Sequence, residues 1–220
     1  MKPFAYAAPK DLEDALALLS ERWGETEVLA GGTDLVTCLK QGLTAPDRLV
    51  SLKNIRALRG IRSGRDGVTL GAMTPLAEIR AHKEIRRRFP ALISAIDGIG
   101  SPQLLAVGTV GGDLCQRPRC WYYRNGHGLL ARHGDTSLVR TGDNRYHAIF
   151  GTNGPALYVS PSRLGPVLVA LNAELTVARP GGKTRVMEVG QLFQAPRDES
   201  QRHTTLAANE IITEIRIPNS

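Results

Sequence analysis

Three cysteines in 220 residues exclude a disulfide framework, which needs paired cysteines at short spacing. No stretch approaches the ~18 consecutive apolar residues that a membrane-crossing helix requires. The opening Met1-Lys2-Pro3-Phe4 has no apolar h-region behind it, so no secretory signal is expected. These absences make the cytoplasm the simplest location and leave export with a signal-bearing partner open. Ser-His-Asp and paired-carboxylate constellations are missing at any recognisable spacing, so no acid–base or nucleophilic machinery is assigned. Zinc-finger spacing and RNA-recognition signatures are missing too. No internal repeat is present beyond one pair of glycine motifs.

What remains is ordinary globular composition, 42% hydrophobic and 22% charged. The length suits one large domain or two small lobes, and it can bury a substantial core. The formal charge is +7, from 28 basic and 21 acidic residues. Without a nucleic-acid motif, that excess does not indicate nucleic-acid binding. Basic residues concentrate only over Arg80 to Arg88. This run reads as a solvated helix face, with docking of an acidic partner or an anionic cofactor tail as the other reading.

The informative stretch is Val28-Leu29-Ala30-Gly31-Gly32-Thr33-Asp34-Leu35-Val36. The apolar run ends like a buried strand, the glycines break it, and Thr33 or Asp34 offers an N-cap for a helix to about Lys40. Residues without Cβ let backbone N–H groups approach a bulky anion, and a helix start adds partial positive charge. Alone, this reads better as a tight strand-to-helix turn. Gly108-Thr109-Val110-Gly111-Gly112-Asp113-Leu114 repeats the pattern mid-chain. Two such loops, each with a hydroxyl and an acid, suggest one phosphate-rich ligand gripped from two sides.

Along the chain, the spacing of Leu12, Ala15, Leu16, Leu19 and Trp23 predicts a helix over 10–22. With strands near the start, before Gly31 and at 48–52, this makes a β-α-β-α-β unit over residues 1–59. Residues 60–67 read as a turn, 67–72 as a strand, and Thr74-Pro75 as a capped helix start. A helix is expected over 91–98. Residues 115–150, rich in arginine, glycine and aromatics, read as a long, partly irregular insertion; such loops tend to be functional. A strand at 156–159, a helix at about 162–171, a hairpin of 174–178 with 183–187 around Pro180-Gly181-Gly182, and a last strand at 210–217 follow. The fold class expected is α+β.

A-G-G-T-D-L followed by G-T-V-G-G-D-L resembles the two flavin-binding signatures of the medium subunit of molybdenum hydroxylases. That family includes xanthine, aldehyde and carbon monoxide dehydrogenases and 4-hydroxybenzoyl-CoA reductase. Leu70-Gly71-Ala72-Met73-Thr74, Ile99 to Gln103 and Glu214 to Pro218 resemble further family segments in the same order. The resemblance covers essentially the whole chain. It implies a two-lobed p-cresol methylhydroxylase-type FAD-binding domain. A small α/β lobe would cover 1–59, and a larger, mostly antiparallel lobe 60–220. It also implies a further C-terminal domain, which is expected to be absent here.

By the same resemblance, Leu29, Ala30, Gly31, Gly32, Thr33, Asp34 and Leu35 would hold the pyrophosphate and ribityl chain of FAD. Ser101, Thr109, Gly112 and Asp113 would form a second wall, and Leu114 and Leu164 would touch the rings. The family often has Asn where this chain has Asp113, and Ser-Asp where it has Ser162-Arg163. Cys115 and Cys120 resemble part of a branch that carries a [4Fe–4S] cluster. Four thiolates are the usual requirement, and 121–150 contains no cysteine, so no cluster and no metal are expected. The two cysteines are then the remainder of such a site or small packing residues. Cys38 is read as a core residue; His127, His133 and His147 could in principle substitute for the missing thiolates, but as loop histidines they read as solvent-facing. Trp121, Tyr122 and Tyr123 read as packing or interface aromatics.

The implied function is electron transfer within a hetero-oligomer. Substrate would be oxidised at a molybdenum cofactor on a large subunit. Electrons would pass through [2Fe–2S] centres of a small subunit to FAD here, and on to an external acceptor. The chain would be an oxidoreductase subunit that does not oxidise the organic substrate alone. A flavin-free scaffold subunit is the rival reading, motivated by Asp113, Arg163 and the missing C-terminal domain.

Overall fold

The computed structural model describes residues 1–219. The chain begins with β1 (Ala5–Ala7), α1 (Leu12–Ala17), β2 (Thr26–Leu29), α2 (Leu35–Lys40) and β3 (Arg48–Ser51). Both pairings are parallel, with β3 between β1 and β2. This is the expected β-α-β-α-β unit, because parallel neighbours need a crossover and each helix supplies one. The first helix is shorter than its spacing predicts. Asp11 caps it by accepting the Asp14 N–H at 2.8 Å. Beyond the helix, Ser20 donates its N–H to Thr26 and its hydroxyl to Glu25, which holds the chain in a turn. Leu19 is buried without being helical.

Next come β4 (Ile61–Gly64), β5 (Gly67–Gly71), α3 (Leu76–Ala81), α4 (Lys83–Arg88), α5 (Pro90–Asp97), α6 (Pro102–Val107) and α7 (Val110–Leu114). β4 falls where a plain turn was expected; it pairs antiparallel with β5 through a tight turn at 64–67. Thr74 does not cap α3. Its hydroxyl instead bonds the N–H and C=O of Gly60, closing the chain crossing at the end of β5. Residues 115–150 hold only α8 (Trp121–Arg124), the short pair β6 (Arg132–His133) and β7 (Thr136–Ser137), and α9 (Leu138–Thr141). No strand forms at 156–159, whose backbone pairs with no sheet. Then follow α10 (Gly165–Ala170), the hairpin of β8 (Glu174–Arg179) and β9 (Lys183–Glu188), and β10 (Ile211–Pro218).

The second sheet is antiparallel, in the order β4-β5-β10-β8-β9. Its buried face carries Val68, Leu70, Leu175, Val177, Ile215 and Ile217 against Ile79, Leu92, Ile96, Leu114, Leu164 and Leu168 of the helices. A smaller core joins Leu16, Leu19, Val50 and Leu52 to Met73, Ala178 and Ile211. Residues of both sheets therefore meet under the ends of β2 and β5, where the two glycine motifs lie.

Candidate functional site

β2 delivers the chain into Ala30-Gly31-Gly32, and α2 begins at Leu35. Gly32 has φ +87°, a left-handed conformation that turns the chain from strand to helix. Among the described residues, the N–H groups of Gly31, Gly32, Thr33, Asp34 and Leu35 donate to no atom of the protein. Five successive free donors on one turn are a concentration of positive dipole. A Cβ on Gly31 would collide with the carbonyl of Val107, so only glycine lets this turn press against the segment leading into the second motif.

The second motif is built differently. Gly111 and Gly112 lie inside α7, and their N–H groups are used: Gly111 donates to Ala72 O at 2.9 Å and Gly112 to Thr109 Oγ1 at 3.1 Å. Thr109 is the N-cap. A Cβ on Gly111 would stand 2.9 Å from that of Ala72, so the missing side chain seats α7 on the end of β5. Ala30 Cβ lies 3.6 Å from a Cβ position on Gly112, which brings the two motifs edge to edge.

A cleft of about 1140 Å³, its open mouth included, runs along this junction. Ala30 to Leu35, Thr109 and Gly112 line it, with Met73, Leu206 and Ile212 supplying apolar surface. Trp23 stands on its wall with the Arg202 guanidinium 5.3 Å from its ring centre. His203 also lines it, and burial pushes its imidazole down to about 4, so it is neutral near pH 7. Gln194 fixes that segment by donating to the carbonyls of Arg202 and Thr204. Cys115 lies here too; burial pushes its thiol up to about 12.

Both acids of the motifs are engaged by the protein. Asp34 accepts the Arg117 N–H at 2.9 Å and Arg124 Nη2 at 3.0 Å, with Arg119 Nη2 at 3.6 Å. Arg117 also pairs with Glu27. The arginine-rich start of the 115–150 insertion is thus bolted to the first motif. Asp113 turns inward. It accepts the Ser162 hydroxyl at 2.5 Å, the Leu164 N–H at 3.1 Å and Gln116 Nε2 at 2.8 Å. Burial raises its carboxyl above the ordinary value against these bonds and the Arg163 charge.

These features fit a dinucleotide: free donors on a turn with no Cβ in the way, hydroxyls at Thr33 and Thr109, and an apolar cleft alongside. The family model described as "FAD binding domain in molybdopterin dehydrogenase" matches residues 2–220. The chain belongs to this family of FAD-binding domains. The aldehyde oxidoreductase FAD-binding subunit PaoB of Escherichia coli (strain K12) is 26% identical over 220 residues, covering 99% of this chain and 69% of PaoB. The carbon monoxide dehydrogenase medium chain of Hydrogenophaga pseudoflava is 28% identical over 215 residues, covering 98% of this chain and 58% of its own length. A solved carbon monoxide dehydrogenase of that organism, lacking the Mo-pyranopterin moiety, superposes with a TM-score of 0.69 at 26% identity, over all of this chain and 61% of its own. The FAD-binding domain described here thus spans 58% to 69% of the length of these proteins.

Of the residues expected to hold the cofactor, Ala30 to Leu35, Thr109 and Gly112 share the cleft. Leu29 is buried beneath the turn. Ser101 is set apart from the cleft as the N-cap of α6, accepting the Leu104 N–H at 3.3 Å. Leu114 and Leu164 are packed in the main core and do not line the cleft; the inward turn of Asp113 draws Leu164 there. His147 is buried, not solvent-facing, with Nε2 3.1 Å from Cys120 Sγ and its ring edge-on to Trp121. Cys38 is buried, as expected. His203 and Arg117 were not anticipated: no local pattern marks them, and only the return of the 200–210 loop beside β2 brings His203 in.

Proposed function

We propose that this chain is the FAD-carrying electron-transfer part of a molybdenum-containing hydroxylase or dehydrogenase. The observation that carries the reading is the turn at Gly31 to Leu35, with five free N–H donors on residues that line the cleft. FAD accepts electrons one at a time and releases them as a pair, which joins iron–sulfur carriers to a two-electron acceptor. The protein's part is to hold it. Gly31, Gly32 and Thr33 would present backbone donors to the pyrophosphate, and Thr109 would add a hydroxyl. The walls of Met73, Leu206 and Ile212 would exclude water from its apolar portion. Neutral His203 offers a hydrogen bond without adding charge.

The architecture corresponds, on this reading, to a two-lobed p-cresol methylhydroxylase-type domain, with lobes at 1–59 and 60–220. The partners are a molybdenum-cofactor large subunit and a [2Fe–2S] small subunit, in a cytoplasmic hetero-oligomer. Among the described residues no helix is long and apolar enough to cross a membrane. The chain itself would carry no [4Fe–4S] cluster. The Cys120 sulfur is engaged by His147, and a thiol raised as Cys115 is does not favour the thiolate that a metal needs.

An absorption spectrum of the purified chain, before and after adding FAD, tests the reading. Oxidised-flavin bands at one flavin per chain are expected. A colourless protein that still takes up no FAD with its partner subunits present would overturn it and favour the scaffold alternative.

A further inference from the structure

Trp23 is one of two tryptophans in the chain, and it packs into neither core. α1 ends at Ala17, so the indole is not on a helix face; it sits on the turn that leads into β2. That turn is fixed. Ser20 donates its N–H to Thr26 Oγ1 at 2.9 Å and its hydroxyl to Glu25 at 2.6 Å, and Gly24 takes φ +89°. Trp23 also pairs with Thr26 in an isolated bridge. The residue is 39% exposed and lines the same cleft as Gly31 to Leu35. Among the described residues, no Phe or Tyr lines that cleft.

One face of the indole is taken. The Arg202 guanidinium lies over the ring, 5.3 Å from its centre, and Arg202 Nε is buried with no hydrogen-bond partner. The aromatic face is therefore the contact that holds this cation. Gln194 Nε2 fixes the backbone behind it, donating to the Arg202 carbonyl at 2.9 Å. The cleft touches Trp23 without touching Arg202. The surface that Trp23 gives to the cleft is thus not the face under the guanidinium. A rigid ring held from behind loses little freedom when a flat ligand stacks on it.

We propose that Trp23 is the stacking platform for one of the two ring systems of FAD, with Arg202 holding the indole in place. The inference rests on the FAD reading above and names a specificity residue for it, one that recognises a planar ring where the Gly31 to Leu35 turn recognises phosphate. Adenine and isoalloxazine offer the same flat π surface, and the two halves of the ligand separate them.

Calorimetric titration of the full chain with FAD, ADP and FMN, comparing wild type with W23F and W23L, tests it. W23L keeps apolar bulk and loses the aromatic face. It is expected to weaken FAD at least fivefold, whereas W23F stays within about twofold of wild type. The loss in W23L should fall on ADP if adenine is the stacked ring, and on FMN if the isoalloxazine is. In the first case ADP should quench the emission of W121F, where Trp23 is the only indole. In the second, bound FMN should fluoresce more brightly in W23L than in wild type, because an indole in contact quenches the flavin. Equal FAD affinity in wild type and W23L would overturn the proposal. So would equal losses in W23F and W23L, or equal losses for ADP and FMN, which would mark Trp23 as structural. ADP binding that W23L weakens, without FAD binding in the wild type, would sink the flavin reading and leave stacking on adenine standing; binding of neither would overturn both.

Discussion

Gly31-Gly32 stands before a helix, and Gly111-Gly112 stands inside one. The first pair leaves a row of backbone donors without partners, whereas the second has both donors satisfied, by Ala72 and by Thr109. Both pairs need the absence of Cβ, but for opposite purposes. Gly31 lets backbone approach backbone while its own polar groups stay free for a ligand. Gly111 lets a helix sit on a strand end and consumes its polar group in doing so. Similar local sequence therefore serves binding in one place and support in the other. The support matters, because α7 meets the first motif directly, with Ala30 Cβ 3.6 Å from a Cβ position on Gly112.

Substitutions can separate the two roles. Gly31→Ala should have the largest effect. Its Cβ meets backbone that cannot move aside, so a loss of about 3 kcal/mol is expected from overpacking, read as a drop in the urea midpoint together with loss of FAD uptake. Gly111→Ala should cost about 2 kcal/mol by the same mechanism against Ala72, while the folded fraction keeps its FAD affinity. Gly32→Ala forces a Cβ into a left-handed residue, at about 1–2 kcal/mol, and should weaken FAD binding more than Gly111→Ala does. If Gly111→Ala abolished flavin binding and Gly32→Ala spared it, the division of labour would be wrong. Thr109→Val removes a side-chain cap worth about 1 kcal/mol, detectable as a lower melting temperature, and should weaken FAD uptake through loss of the hydroxyl.

The smallest effect concerns pH. Asp113 has a raised carboxyl in the folded state, so the native protein holds that proton more tightly than the unfolded chain does. Stability contributed by this group is present at low pH and falls as pH rises from the ordinary carboxylate value through the raised one. Urea denaturation across that range should show a shallower fall in Asp113→Asn than in wild type. An unchanged slope would mean that Asp113 is ionised without penalty.

Much of this architecture was legible in the residues. Alternating and continuous apolar runs marked β2, β5, the β8–β9 hairpin and β10, and the paired glycines marked the cleft. The misreadings share a cause: long-range partners overrode local pattern. The apolar spacing beyond Ala17 continues to Trp23, yet Ser20 finds Glu25 and Thr26 and the helix stops. Thr74 is a good cap by type, but Gly60 claims its hydroxyl. The run at 156–159 has strand composition and no strand beside it. Leu114 and Leu164 follow their motifs in sequence and are drawn into the core by helix packing. Nothing local to His203 announces that it will line the cleft, because its position depends on a loop closed by Gln194.

The order of strands in the larger sheet carries a consequence for biosynthesis. β10, the last element of the described chain, is the central strand, with β5 on one side and β8 on the other. While a ribosome is still making the first two hundred residues, β4–β5 and β8–β9 exist only as separate hairpins with facing, unpaired edges. Such edges are sites for wrong pairing between chains. The early β1–β3 unit can gather locally, but the larger sheet closes only when Ile211 to Pro218 emerges and slots between its neighbours. A sheet keyed by its final strand folds late, with long sequence separation between partners, and therefore slowly.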